Sequence, residues 1–192
     1  NLICVVCKTD PSEGAKGISL LMAEVNELEG FRKNTPLKKI GCRGQDTNEL
    51  FFDNCRIPAG NLLGGVEGQG FYQLMAQLPR ERLMIAVGAI AGVEAALDEA
   101  LSYTKQRNAF GKRIVDFQNT KFKLAEMATE ARIGRVFVDD CIRRLNEGTL
   151  DTETASMAKW WCTEKQFETA NQCLQFHGGY GYMMEYPIAH YF

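Results

Sequence analysis

The stretch LMIAVGAIAGVEAALDEAL, Leu83 to Leu101, decides how the second half of this chain folds. Only Glu94, Asp98 and Glu99 carry charge in it, proline is absent, and alanine and leucine dominate. Such a segment favours helix. Because it is apolar nearly all round, it belongs inside a bundle rather than on its surface. The residues leading into it, QLPRERLMIA from Gln77 to Ala86, are of another kind: Pro79, Arg80, Glu81 and Arg82 stand directly before the apolar run. An interior proline removes one backbone hydrogen bond, so a kink or restart is expected at Pro79. Spacing alone leaves Glu81 two roles. It can pair with Arg80 or Arg82 near a helix start, where an acid also suits the helix dipole, or it can be a reactive carboxylate delivered into an apolar interior.

Outward from this core, helical periodicity runs from about Gly70 to Arg107. A second helix is expected from about Asp116 to Glu147, with Phe117, Lys121/Leu124, Met127, Ala131, Val136 and Cys141 as a partial apolar stripe and Gly148 as its stop. A third starts at the cap-like Asp151-Thr152-Glu153 and ends before Gly178-Gly179, and a fourth begins near Pro187. Short loops between such helices predict an antiparallel bundle. Upstream of about Gly65 the texture differs: LICVVC, ISLLMAEV and ELFFDNCRI are short β-prone runs separated by turn material.

With 192 residues, 45% of them hydrophobic, the chain can bury a proper core. Its 22 basic and 24 acidic residues give a net charge of −2, which argues against a polybasic surface for nucleic acid or anionic lipid. No apolar run reaches the roughly 18 residues of a membrane span. The chain opens on Asn1 without a methionine and reads as a piece of something longer or a processed product. Of its seven cysteines, Cys4 and Cys7 match C-x-x-C, but residues three apart on a strand face opposite ways. Free, packed thiols and a reducing intracellular compartment are expected. His177 and His190 have no nucleophile or metal-ligand partner at useful spacing, so packing or surface roles are expected. The glycine-rich Gly64 to Gly70 lacks the Lys-Ser/Thr ending of a phosphate loop and reads as a flexible connection.

Five stretches in order, GISLLMAEV, GCRGQDTNELFFDNCRIPAGNLLG, LPRERLMIA, QRNAFGKRIVDFQ and LQFHGGYGYMMEYPIA, resemble the acyl-CoA dehydrogenase family of flavoenzymes, most closely its long-chain and isovaleryl-type branch. The resemblance implies an α+β chain. Residues 1–66 would be the C-terminal part of a β-barrel-like middle domain, and residues 67–192 an antiparallel, truncated four-helix bundle. The family's N-terminal helical domain and the end of its bundle are missing, so this piece alone is expected to be inactive.

By the same resemblance, Glu81 is the base that takes the α-proton of a fatty acyl-CoA, and Arg82 shapes the substrate site beside it. Such a base needs a dry, closely positioned setting. FAD accepts the β-hydride, giving a trans-2-enoyl-CoA. Arg107, Phe110, Gln118, Gln175, Gly178 and Gly179 match family positions that touch FAD held mainly by a neighbouring subunit. Without the resemblance, Arg107 is an ordinary helix-end cation, Phe110 a loop hydrophobe, and Gly178-Gly179 a plain helix stop. Implied partners are an electron-transfer flavoprotein and further copies of the chain in a homotetramer. Implied compartments are the mitochondrial matrix or the bacterial cytoplasm. An acyl-CoA oxidase or flavin monooxygenase-type relative on the same fold, and a cofactor-free helical interaction module, are the competing readings.

Overall fold

The computed structural model describes all 192 residues, which fall into two units, Asn1–Ala76 and Gln77–Phe192. In the first, β1 (Leu2–Lys8) pairs antiparallel with β2 (Ile18–Glu24), with Val5 opposite Leu21. Alternation along β1 turns Ile3, Val5 and Cys7 inward and leaves Cys4 on the outer face. Leu20 and Ala23 of β2 are buried. The far side of β2 is held by the segment around Leu62: Leu63 N–H donates to Leu20 O at 2.9 Å, and Asn61 Nδ2 donates to Met22 O at 2.8 Å. The turn between the strands needs glycine at 17, since a Cβ there would stand 1.8 Å from Asp10 O. A second pair, β3 (Phe31–Lys33) with β4 (Leu50–Phe52), is clamped by the rings of Phe31 and Phe52 at 5.1 Å.

The expected barrel-like architecture is therefore not what forms. Each sheet has two strands, and the third, β5 (Asn108–Ala109) with β6 (Lys112–Arg113), is a minimal hairpin. The expected truncated four-helix bundle is corrected as well, because there are three α-helices. They are α1 (Gly70–Gln106), α2 (Gln118–Asn146) and α3 (Thr152–Phe176). The segment starting at Pro187 makes only a 3₁₀ turn to His190. Proline suits the first turn of any helix, and four residues supply too few hydrogen bonds to commit to an α-helix. The expected restart at Pro79 is also absent, since α1 continues through it.

The three helices pack along seams spaced alternately three and four residues. On α2 the buried positions are Thr120, Leu124, Met127, Ala131, Gly134, Val138 and Cys141. On α1, Leu83, Ala86, Ile90, Val93, Ala100 and Thr104 follow the same rhythm, and on α3, Ala155, Ala158, Cys162, Thr169 and Cys173 do so. This is the spacing of helices crossing at a shallow angle. Val136, expected in the stripe, is exposed. An ion pair also joins α1 to α2, with Arg135 Nε donating to Glu94 Oε1 at 2.9 Å and holding that carboxyl below its ordinary range. All seven cysteines are free thiols, and burial pushes Cys162 up to about 11 and Cys173 up to about 12. No helix is long and apolar enough to cross a membrane.

The ends of α2 and α3 form as their residues dictate. Gly148 sits at φ +70°, with its N–H on Leu145 O and Thr149 N–H on Arg144 O at 2.8 Å, the two bonds of a Schellman stop. Asp151 caps α3 by accepting from Thr154 N–H at 2.7 Å, and that bond holds its carboxyl below the usual aspartate range.

Candidate functional site

The C-terminal ends of α1 and α3 and the start of α2 border an open cavity of about 740 Å³. Arg107, Phe110, Gln175, Gly178 and Gly179 all line it, joined by Tyr103, Phe117, His177 and Tyr180. Residues from positions 103 to 183 meet here because both helices stop at the same level. Tyr103, one turn before the end of α1, stacks on His177 at the end of α3 with ring centroids 4.0 Å apart. Its hydroxyl donates to His177 O at 3.3 Å. Burial pushes the Tyr103 phenol above its ordinary value. The guanidinium carbon of Arg107 lies 5.3 Å from the centroid of Tyr180, so a free cation faces an aromatic wall.

Two features of the wall go beyond what the packing of the chain requires, although the Phe110 ring meets that of Phe117 edge-on at 6.4 Å. Phe110 is 93% exposed and sits at φ +53°, followed by Gly111 at +83°. This is a two-residue hairpin turn with both central residues left-handed, a place where asparagine-glycine is the natural pair. A phenylalanine there costs on the order of 1 kcal/mol. Phe110→Asn is therefore expected to raise unfolding stability by about 1 kcal/mol, read by denaturant titration. The second feature is Gly179, where an added Cβ would meet nothing within 4 Å and φ is not left-handed. Gly181 makes the contrast, because a Cβ there would stand 2.4 Å from Leu174 O. Folding demands Gly181; it does not demand Gly179.

His177, expected to be a packing residue, is buried, and its Nδ1 bonds Cys173 O at 2.9 Å. Cys173 O can only accept, so Nδ1 donates, and the buried Nε2 has no partner in the chain. Sequence reasoning missed Tyr103, Phe117, His177 and Tyr180 as wall residues. The one available signal was Tyr103, a helical turn before Arg107 and on the same face. Gln118 is not brought to the cavity: it is exposed as the first residue of α2, while Phe117 and Asn119 on either side line the wall.

Glu81 and Arg82 are elsewhere. From Glu81 to the end of α1 is 25 residues, 106 − 81, or roughly 37 Å at about 1.5 Å per residue. Glu81 is exposed, not held in an apolar interior, and it forms no ion pair with Arg80 or Arg82. The exposed Met84 and Ile85 continue its side of the helix.

An apolar-walled cavity with one cation, several π-faces and close backbone access suits a ligand with a phosphate and an aromatic ring. FAD meets that description, and the residues present fit it. Arg107 can meet a phosphate, the rings can stack on a base, and the bare backbone at Gly179 allows close approach.

Comparison with known proteins agrees with this geometry. Residues 68–192 match the family model described as the acyl-CoA dehydrogenase, C-terminal domain. The mitochondrial long-chain specific acyl-CoA dehydrogenase of Mus musculus is 46% identical over 188 residues, covering 98% of this chain and 43% of that protein. The mitochondrial isovaleryl-CoA dehydrogenase of Solanum tuberosum is 38% identical over 189 residues, covering 98% of this chain and 45% of that protein. The crystal structure of an acyl-CoA dehydrogenase from Geobacillus kaustophilus superimposes with a TM-score of 0.94 at 48% identity, covering 99% of this chain and 50% of that one. The chain thus spans less than half the length of these curated relatives. With its cavity, its helix order and these matches in agreement, the chain belongs to the acyl-CoA dehydrogenase family.

Proposed function

We propose that this chain is part of a FAD-dependent enzyme that dehydrogenates a fatty acyl-CoA between its α and β carbons. The observation that carries the cofactor is Gly179, a cavity glycine that no part of the fold requires. Arg107 would hold the diphosphate, Phe110 would pack on the cofactor, and Gln175, Gly178 and Gly179 would bound the adenosine side, while Gln118, exposed outside the cavity, would reach the cofactor only from its rim. The chemistry FAD supplies when bound is acceptance of a hydride from the β-carbon. Glu81 takes the α-proton on its carboxylate as the Cα–Cβ double bond forms, and Arg82 beside it shapes the acyl-CoA site. Since 22 residues of continuous helix, 103 − 81, or roughly 33 Å, separate Glu81 from Tyr103 on the cavity wall, one chain's Glu81 and its own cavity serve different flavins. A homo-oligomer, in the tetrameric form the family resemblance implies, brings one copy's cavity to another's flavin. Residues 1–66 belong to a middle domain and 67–192 to a C-terminal helical domain of the longer protein. An electron-transfer flavoprotein takes the electrons, in a mitochondrial matrix or bacterial cytoplasm.

Gly179→Val in the whole protein tests the cofactor site. A Cβ at this position meets nothing in the chain within 4 Å, so the melting temperature of the apoprotein should change little. FAD affinity, measured by quenching of flavin fluorescence, should fall at least about 10-fold, the cost of filling space a ligand occupies. Unchanged affinity would move FAD to another site.

A further inference from the structure

The carbonyl of His177 is held from two sides. The Tyr103 hydroxyl on α1 donates to it at 3.3 Å, and Tyr180 N–H, in the turn beyond α3, donates to it at the same distance. The ring of His177 is held as well. Its face lies on the Tyr103 ring at 4.0 Å, Tyr186 meets it edge-on with centroids 6.1 Å apart, and its Nδ1 donates to Cys173 O at 2.9 Å. Packing alone does not call for an imidazole here. An aliphatic side chain would fill the space without burying Nε2 unpaired, which carries a desolvation cost. Histidine gives what an aliphatic residue cannot, a flat face for Tyr103 and an N–H for Cys173 O.

The held carbonyl controls the backbone that follows it. His177 O and Gly178 N–H belong to one planar unit, so fixing the oxygen fixes the N–H. His177 is right-handed, at φ −78° and ψ −13°, and Gly178 is left-handed at φ +58°. That succession turns consecutive N–H groups toward one side, a concavity suited to an acceptor. Neither Gly178 N–H nor Gly179 N–H has a backbone acceptor in the chain, and both glycines line the cavity. Two glycines in a row lose more conformational freedom on ordering than any other pair. Left loose, they would have to be ordered each time a ligand bound, at a cost in affinity. Tyr103 also anchors the opposite wall, because its own carbonyl accepts from Arg107 N–H at 2.9 Å. One residue thus sets the glycine backbone against the cation.

We propose, on the basis of the FAD site above, that Tyr103 with His177 stacked on it is a positioning residue for the cofactor. Through the His177 peptide it presets the Gly178–Gly179 backbone at the cavity before FAD arrives. Tyr103→Phe in the whole protein tests this, since phenylalanine keeps the ring on His177 and removes only the hydroxyl. FAD affinity is read by quenching of flavin fluorescence, at a temperature where circular dichroism shows both apoproteins folded. It should fall about 5-fold, the order of one hydrogen bond. FMN, which lacks the adenosine half that this cavity would take, should bind parent and variant alike. A residue that only braces the fold would lower the melting temperature and leave the FAD affinity of the folded protein unchanged, and that result would overturn the proposal. Equal losses for FAD and FMN would overturn it too, because the effect would then lie outside the cavity. Gly179→Val, measured alongside, separates the two levels. If it weakens FAD binding and Tyr103→Phe does not, positioning by Tyr103 is wrong and the site stands. If Gly179→Val has no effect, FAD lies elsewhere and both fall.

Discussion

Replacing Glu81 by glutamine in the whole protein should leave FAD bound and slow anaerobic bleaching of flavin absorbance by acyl-CoA about 1,000-fold, within the range for loss of a general base. Glutamine keeps the shape of the side chain and cannot accept the α-proton. The comparison is clean because Glu81 makes no hydrogen bond or ion pair in the chain and is exposed. Retained FAD together with an unchanged melting temperature of the variant separates lost turnover from lost folding. Parent-like bleaching by the variant would place the base on another element of the longer protein. A panel of acyl-CoA chain lengths run on the parent would report the preferred substrate in the same experiment.

That carboxylate also marks where sequence reading stops. Leu83 to Leu101 was legible as a helix, yet the burial of Glu81 was not, because burial depends on what packs against α1. Spacing suggested an ion pair with Arg80 or Arg82; the structure shows none. Helix ends were legible wherever one residue decides them, as Gly148 and Asp151 do. The seam of α2 was half legible. Leu124, Met127, Ala131 and Cys141 were found by hydrophobicity, but Thr120 and Gly134 are buried there without being apolar, and Val136 is apolar without being buried. Strand runs were visible, but pairing joins distant residues, and nothing in LICVVC or ELFFDNCRI specifies how many strands a sheet will have. The cavity shows the same division. Arg107, Phe110, Gln175 and the glycine pair were found by resemblance, whereas Tyr103 and His177 meet only through the third dimension.

Gly134→Ala should lower unfolding stability by about 1–2 kcal/mol, against the ordinary expectation that glycine-to-alanine in a helix gains about 1 kcal/mol. A Cβ at 134 would stand 2.5 Å from Ile90 Cδ1 and 2.8 Å from a ring carbon of Trp161. Ile90 is fully buried among Leu83, Ala86, Val93, Val138 and Cys162, so its methyl has no solvent to move into. Overpacking a filled core costs about 1–3 kcal/mol, which outweighs the gain in helix propensity. The mechanism predicts its own rescue. Ile90→Val removes the offending Cδ1 and alone should cost about 0.5–1.5 kcal/mol for the cavity it leaves. In the double variant the new methyl fills part of that cavity, so the loss should be smaller than the sum of the two single losses by about 1 kcal/mol, the coupling expected of side chains in contact. Urea titration of the four proteins measures that coupling directly. Strict additivity would mean that Trp161, and not Ile90, sets the limit at Gly134, and Trp161→Phe would then be the variant that restores stability.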